Sequence, residues 1–367
     1  MATVVITGAG AGVGRATAVE FARRGYNVAL LSRGKERLDA VARDVRKHGG
    51  EALALSVDVA DAKAVEAAAE RIERELGPID VWVNDAMTTV FAPIHQISPE
   101  EFRRVTEVTY LGQVHGTMAA LARMRPRNRG TIVQVGSALS YRAIPLQAAY
   151  CGAKFAVRGF TDALRSELAH EGSRIHVTMV QLPAVNTPQF DWARNRMPSK
   201  VQPVPPIHQP EAIARAIVRA AHTKPRELWV GFSALKAIVG TMLVPGLADR
   251  ILAKSAYSGQ MTGETKDPNA PDNLFDPVPG DPGPRGRFSA RSERLSALGT
   301  IDPLWVRAGA LAGLLGVVAG AFVLGRASRG KPPPPRLGHG GLSKRIGHAA
   351  RPARALPHRK TARGFFS

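Results

Sequence analysis

The feature that most constrains this chain is a β-branched run, Thr3-Val-Val-Ile-Thr7, that passes directly into Gly8-Ala-Gly-Ala-Gly12-Val-Gly14 and then into a helical stretch reaching Arg24. A strand that turns through clustered glycines into a helix opens an α/β unit. Gly8, Gly12 and Gly14 let the backbone turn tightly, so that the helix start, Val13 included, can approach a pyrophosphate. Unpaired amides and the helix dipole favour negative charge at that point.

The alternation continues through the first half of the chain. Strands are predicted at Thr3 to Thr7, Asn27 to Leu31, Ala52 to Val57, Asp80 to Asn84, Thr131 to Gly136 and Ile175 to Gln181, with a seventh at Glu227 to Gly231. Between them, Leu38, Val41, Ala42 and Val45, and again Val65, Ala68, Ala69, Ile72 and Leu76, recur at helical spacing, and Gly77-Pro78 stops the second helix. The expected fold class is α/β: a doubly wound, Rossmann-type parallel sheet with helices on both faces and a C-terminal helical or disordered extension. Ligands then belong at the carboxyl ends of the strands.

Composition shifts divide the remainder. Residues 1–235 form the expected α/β domain. Residues 236–262 read as a helical cap or membrane-proximal segment, 263–303 as a Pro/Gly-rich linker, 304–325 as a transmembrane or membrane-associated helix and 326–367 as a basic disordered tail. The apolar stretch from Ala308 to Gly325 would reach about 27 Å as a helix, close to the thickness of a bilayer's hydrocarbon layer. The tail carries Lys and Arg without any Asp or Glu and holds more than half of the net +20 charge, so overall basicity says little about the α/β domain. An anionic membrane surface is the partner expected for the tail. Nucleic acid is not, because aromatics other than Phe365-Phe366 are missing from it. Cys151 is the only cysteine, which excludes an intrachain disulfide. It reads as core filler. The strand at the very start leaves no secretory signal in view, and the expected location is cytoplasmic.

Chemistry-bearing residues fall where strands end. After the second strand come Ser32-Arg33-Gly34, where a hydroxyl and a guanidinium suit a 2′-phosphate that an acidic side chain would repel; NADP(H) is therefore expected over NAD(H). Ser137 follows the fifth strand, and Tyr150-x-x-x-Lys154 opens the next helix. Residues four apart share a helical face, so a Lys154 ammonium near the Tyr150 phenol would lower the phenol's pKa and make it a usable acid and base.

In these motifs the chain resembles the short-chain dehydrogenase/reductase family over about residues 1 to 235. The matches in order are Thr7-Gly-x-x-x-Gly12-x-Gly14, Asp58-Val59, Asn84-Asp-Ala-Met87, Ser137, Tyr150-x-x-x-Lys154 and Leu182-Pro-Ala-Val-Asn-Thr187. The resemblance implies that Asp58, beside Val59, contacts the adenine, and that Asn84 supports the fourth-strand turn. Thr187 would hold the nicotinamide carboxamide and Lys154 the nicotinamide ribose. It also implies a small carbonyl or alcohol substrate, lipophilic if a membrane is near, and a homo-oligomer; no metal is expected. Four positions depart from the family pattern. Asp85 and Met87 stand where Asn and Gly are usual, Thr109 where a catalytic asparagine is usual, and Ala184 where glycine follows proline. The alternative expectation is a non-catalytic, membrane-associated cofactor-binding protein.

Overall fold

The computed structural model describes residues 1–243, 245–293, 300–303 and 308–309. The compact unit described here ends at Ala310. Its strands are β1 (Thr3–Thr7), β2 (Asn27–Ser32), β3 (Ala52–Ser56), β4 (Ile79–Asn84), β5 (Gly130–Ser137), β6 (Ile175–Leu182), β7 (Glu227–Val230) and β8 (Thr300–Ile301). They form one sheet in the order β8-β7-β6-β5-β4-β1-β2-β3. Every pair is parallel except β7 with β8. The sheet is therefore mixed but largely parallel, as the alternating pattern required. The antiparallel edge strand β8 had no counterpart in the sequence reading, since two residues carry no periodicity.

Helices α1 (Gly12–Ala22), α2 (Lys35–Arg46), α3 (Ala62–Leu76), α4 (Pro99–Thr106), α5 (Gly112–Met124), α6 (Ala148–His170) and α7 (Pro210–Thr223) cover the two faces. Side chains alternate across the sheet, so Val4, Ile6, Val28 and Leu30 pack with Phe21, Val41 and Ile213 on one face, whereas Val5, Ala29 and Leu31 pack with Ile72, Met124 and Leu164 on the other. Strand order reverses between β1 and β4, where Thr7 lies opposite both Leu31 and Asn84. A crevice at the carboxyl ends follows from that reversal.

Beneath the crevice a buried polar network fixes the end of β4. Trp82 Nε1 donates to Asn84 Oδ1 at 2.8 Å, and Asn84 Nδ2 donates to Thr117 Oγ1 at 3.1 Å and Gln134 Oε1 at 3.0 Å. Gly116 on α5 makes room for it: a Cβ there would lie 2.2 Å from Asn84 Oδ1 and 2.7 Å from Trp82 Nε1. Gly116→Ala is expected to cost about 3 kcal/mol by overpacking and by stranding a buried acceptor. Urea denaturation checks this; an unchanged midpoint would mean that the network relaxes freely.

Beyond β7, α8 (Phe232–Leu243) and α9 (Pro245–Gly259) form the helical pair expected from residues 236–262. Met261–Thr265 then pairs antiparallel with Ser199–Val201, and Ser292–Glu293 pairs parallel with Ile207–His208. The Pro/Gly-rich stretch between these ladders is packed against the rest of the unit, with Leu274 fully buried and Phe288 nearly so. The expectation of a transmembrane helix is corrected: among the described residues no helix is long and apolar enough to cross a membrane. Its proposed location, 304–325, lies outside the described residues except for Ala308 and Gly309, as does the whole basic tail. That expectation rested on the length of the apolar stretch, whose Gly and Ala make it only moderately hydrophobic.

Candidate active site

A cavity of about 510 Å³ runs along the carboxyl ends of the strands. Of the residues singled out from sequence, Gly8, Gly12, Val13, Ser32, Arg33, Asp58, Val59, Ser137, Tyr150, Lys154 and Thr187 line it together. Gly14, Asn84 and Thr109 stand behind the wall. Gly14 is packed so closely that a Cβ would lie 2.4 Å from the Gly8 carbonyl oxygen. Thr109, in a π-helical turn between α4 and α5, accepts from the Thr88 N–H at 3.0 Å and donates to the Thr88 carbonyl at 2.9 Å. Its hydroxyl is thereby spent on holding the loop after β4.

At the centre, Tyr150 and Lys154 project from the first turns of α6, and Ser137 ends β5. Lys154 is 1% exposed; its Nζ donates to the Val135 carbonyl at 2.7 Å and lies 5.7 Å from the centroid of the Tyr150 ring. Ser137 hydrogen-bonds the Tyr150 phenol, while its Oγ also accepts from the Leu139 N–H at 3.1 Å. The sequence reading had the phenol lowered by the nearby ammonium. Instead, burial pushes it well above its ordinary value, and the hydrogen bond from Ser137 only partly offsets this. The Lys154 charge is directed elsewhere. Asp85, the departure from the family pattern, faces it: burial pushes the Asp85 carboxyl up to about 7 despite Lys154, and burial pulls Lys154 down to about 8 despite Asp85. Cys151 is buried, and burial pushes its thiol up to about 11, which fits the filler role.

At the other end of the cavity, α1 starts without a side-chain cap at Ala11, and Gly12 has φ +56°. A Cβ on Gly12 would lie 3.2 Å from Thr187 Cγ2, and one on Gly10 would lie 2.7 Å from Ser32 Oγ. Ser32 Oγ and Arg37 Nη2 are buried without a hydrogen-bond partner among the described residues. A helix start with no side-chain cap, a turn too tight for side chains and orphaned polar atoms fit an anionic dinucleotide. Arg37 was missed by sequence reading; its place in the first turn of α2, four residues after Arg33, was the available signal. Arg33 itself donates to the backbone carbonyls of Asn273, Leu274 and Phe275. Asp58 is ion-paired with Arg104, which together with its hydrogen bond from the Ala60 N–H holds its carboxyl below the usual range against the effect of burial.

The substrate side is walled by Leu139, Ile144, Pro183, Val204, Ala234 and Leu252. The last two come from α8 and α9, so the helical pair acts as a cap over this end.

A doubly wound sheet with such a crevice defines a dinucleotide-binding class of enzyme fold. Residues 2–197 match the family model described as short chain dehydrogenase, and the chain belongs to that family. It is 31% identical over 277 residues to an uncharacterised oxidoreductase, YxnA, of Bacillus subtilis, covering 74% of this chain and 77% of the relative. It is likewise 31% identical over 228 residues to 3-dehydrosphinganine reductase of Danio rerio, covering 60% and 68%. Among solved structures it is similar to an alcohol dehydrogenase from Thermococcus sibiricus complexed with 5-hydroxy-NADP, at 28% identity and TM-score 0.54, covering 62% of this chain and 95% of that one. A short chain dehydrogenase from Mycobacterium paratuberculosis bound to NAD is similar at 25% identity and TM-score 0.53, covering 60% and 90%. Oxidoreductase activity on a carbonyl or alcohol, with a nicotinamide dinucleotide, follows at the level of the family.

Proposed function

We propose that this chain is an NADP(H)-dependent oxidoreductase that interconverts a lipophilic carbonyl compound and its alcohol, with Tyr150 as general acid and base. The observation that carries the reading is one continuous cavity lined by Ser137, Tyr150 and Lys154 at its centre and by the glycine turn at its end. The preference for NADP(H) draws on Ser32 at the end of β2, Arg33 just after it and Arg37 in the first turn of α2, and the lipophilic substrate on the apolar walls. The dinucleotide would lie against Gly8, Gly12 and Val13, with Gly14 packed behind that turn, Asp58 and Val59 at its adenine, Asn84 supporting the turn beside it and Thr187 at its carboxamide.

Bound there, a nicotinamide supplies or accepts the hydride. In reduction, Tyr150 gives its phenolic proton to the substrate oxygen, and Ser137 donates a hydrogen bond to that oxygen as negative charge develops. Lys154 holds the ribose. Apolar walls exclude water and orient the substrate's body. Oxidation runs through the same groups in reverse.

The deciding experiment titrates the purified chain with NADPH and NADH and then follows NADPH consumption over carbonyl compounds of increasing alkyl length. Tighter binding of NADPH and turnover that rises with alkyl length are expected. Binding without turnover of any carbonyl or alcohol would replace the enzyme with a non-catalytic cofactor-binding protein.

Asp85 gives a pH prediction. It is the group that raises Lys154 against the lowering by burial, so Asp85→Asn lets the ammonium lose its proton at lower pH. The alkaline limb of the pH profile of kcat is expected to move towards neutrality. A limb that stays in place would dissociate that titration from Lys154.

A further inference from the structure

After α9 and the Met261–Thr265 ladder, the chain turns back over the nucleotide end of the cavity. Asn273 and Pro277 line the same cavity as Gly8, Gly10, Gly12 and Ser32. Leu274 anchors one end, fully buried among Val90, Ala92, Val105 and Ala149, with Tyr150 packed against the same cluster. Arg33 and Arg104 then donate to carbonyls of residues 273–275, and Arg37 Nε donates to the Gly280 carbonyl at 2.9 Å. Asp281 is ion-paired with Arg15 in the first turn of α1, and the Gly283 carbonyl accepts from the Gly12 N–H at 3.4 Å. Gly286 N–H finally donates to the Asn186 carbonyl at 3.3 Å.

We propose that residues 273–286 form a strap that is the fourth wall of the dinucleotide site, and that its opening sets the rate at which the dinucleotide enters and leaves. The inference rests on the reading of this cavity as a dinucleotide site. Three features favour a roof over a plug. Asn273 and Pro277 are part of the cavity's lining, together with the glycine turn. Arg37 gives Nε to the strap yet keeps Nη2 buried and unpartnered, and a guanidinium has enough donors to hold a strap carbonyl and a ligand anion together. The anchors at Arg33, Arg37, Arg104 and Gly12 are neutral carbonyls, and the one carboxylate anchor is Asp281, on Arg15. Pro277, Pro279, Pro282 and Pro284 restrict the backbone, and Gly280 and Gly283 turn it at φ +86° and +75°. Such a segment loses little entropy on closing and moves as a short, stiff unit.

Stopped-flow measurement of NADPH association and displacement, on the full chain and on a full-length Asp281→Ala, Pro279→Gly double variant, tests the strap. Both rate constants are expected to rise about tenfold, with Kd within about threefold of the parent, because the same barrier stands on the way in and out. Amide hydrogen exchange across residues 273–286 is expected to slow when NADPH is added to the parent chain. Unchanged rates in the variant, or exchange indifferent to NADPH, would overturn the gate. Tighter binding in the variant with an unchanged dissociation rate would also overturn it, and make the strap a competitor of the dinucleotide. Failure of the parent chain to bind either dinucleotide would remove the oxidoreductase reading first and the strap with it.

Discussion

A Tyr150→Phe chain is expected to bind NADPH within about twofold of the parent and to turn over about a thousandfold more slowly, the range lost when a positioned general acid is removed. The substitution deletes one hydroxyl and keeps the ring. That ring packs against the cluster of Val90, Val105, Ala149 and Leu274, and none of these contacts needs the oxygen. Folding and the shape of the cavity should therefore persist. What disappears is the proton that the substrate oxygen must receive. Burial holds the phenol above its ordinary pKa, so in the parent it is protonated throughout the neutral range and ready to donate in the direction of reduction. Ser137 remains in the variant and can still stabilise charge on the oxygen, which is why some turnover survives. The measurement is kcat on an identified carbonyl substrate beside a dinucleotide titration of the same preparation. A variant that keeps more than about a tenth of the parent kcat would remove Tyr150 as the proton donor.

The sheet was legible because its signal is periodic and local. Seven predicted strands coincide with β1 to β7 to within about two residues, since β-branched runs bounded by turn residues need no knowledge of distant contacts. The glycine turn and the Tyr150-x-x-x-Lys154 pair were legible for the same reason: their geometry is set within one turn of helix. The interactions that tune the site were not. Asp85 was visible as a departure, but its facing of Lys154 depends on how β4 and α6 meet across the sheet. Arg33 could be read as a phosphate ligand from its place after β2, yet its carbonyl partners lie some 240 residues away. Residues 263–303 were read as a linker from Pro and Gly content alone, and composition cannot tell a free coil from a stiff segment pinned by arginines. Leu274 was the one apolar residue whose complete burial would have given the packing away.

Lys154→Met separates the two roles assigned to that lysine, and it is expected to lower kcat/KM about a thousandfold, with kcat falling and the KM for NADPH rising together. Tyr150→Phe should move kcat alone, so the pair of variants distinguishes a proton donor from a group that also holds the ribose. Methionine keeps length and apolar bulk but leaves the Val135 carbonyl without its donor, a loss of about 1 to 3 kcal/mol for a buried acceptor. It also leaves Asp85 facing no cation, so the carboxyl moves further up and is neutral at physiological pH. The pH dependence of stability follows with a definite sign. In the parent, Asp85 titrates at about 7, above its unfolded value, so the folded state binds the extra proton and stability falls as pH rises from the ordinary carboxylate range to about 7. Lys154 titrates at about 8, below its unfolded value, so the unfolded state binds the extra proton and stability rises as pH rises from about 8 through the ordinary lysine range. Methionine deletes the second effect. Urea midpoints measured from neutral to alkaline pH should climb, through this group, in the parent and not in the variant; equal slopes would mean that the lysine is not held in the desolvated site from which its chemistry is argued.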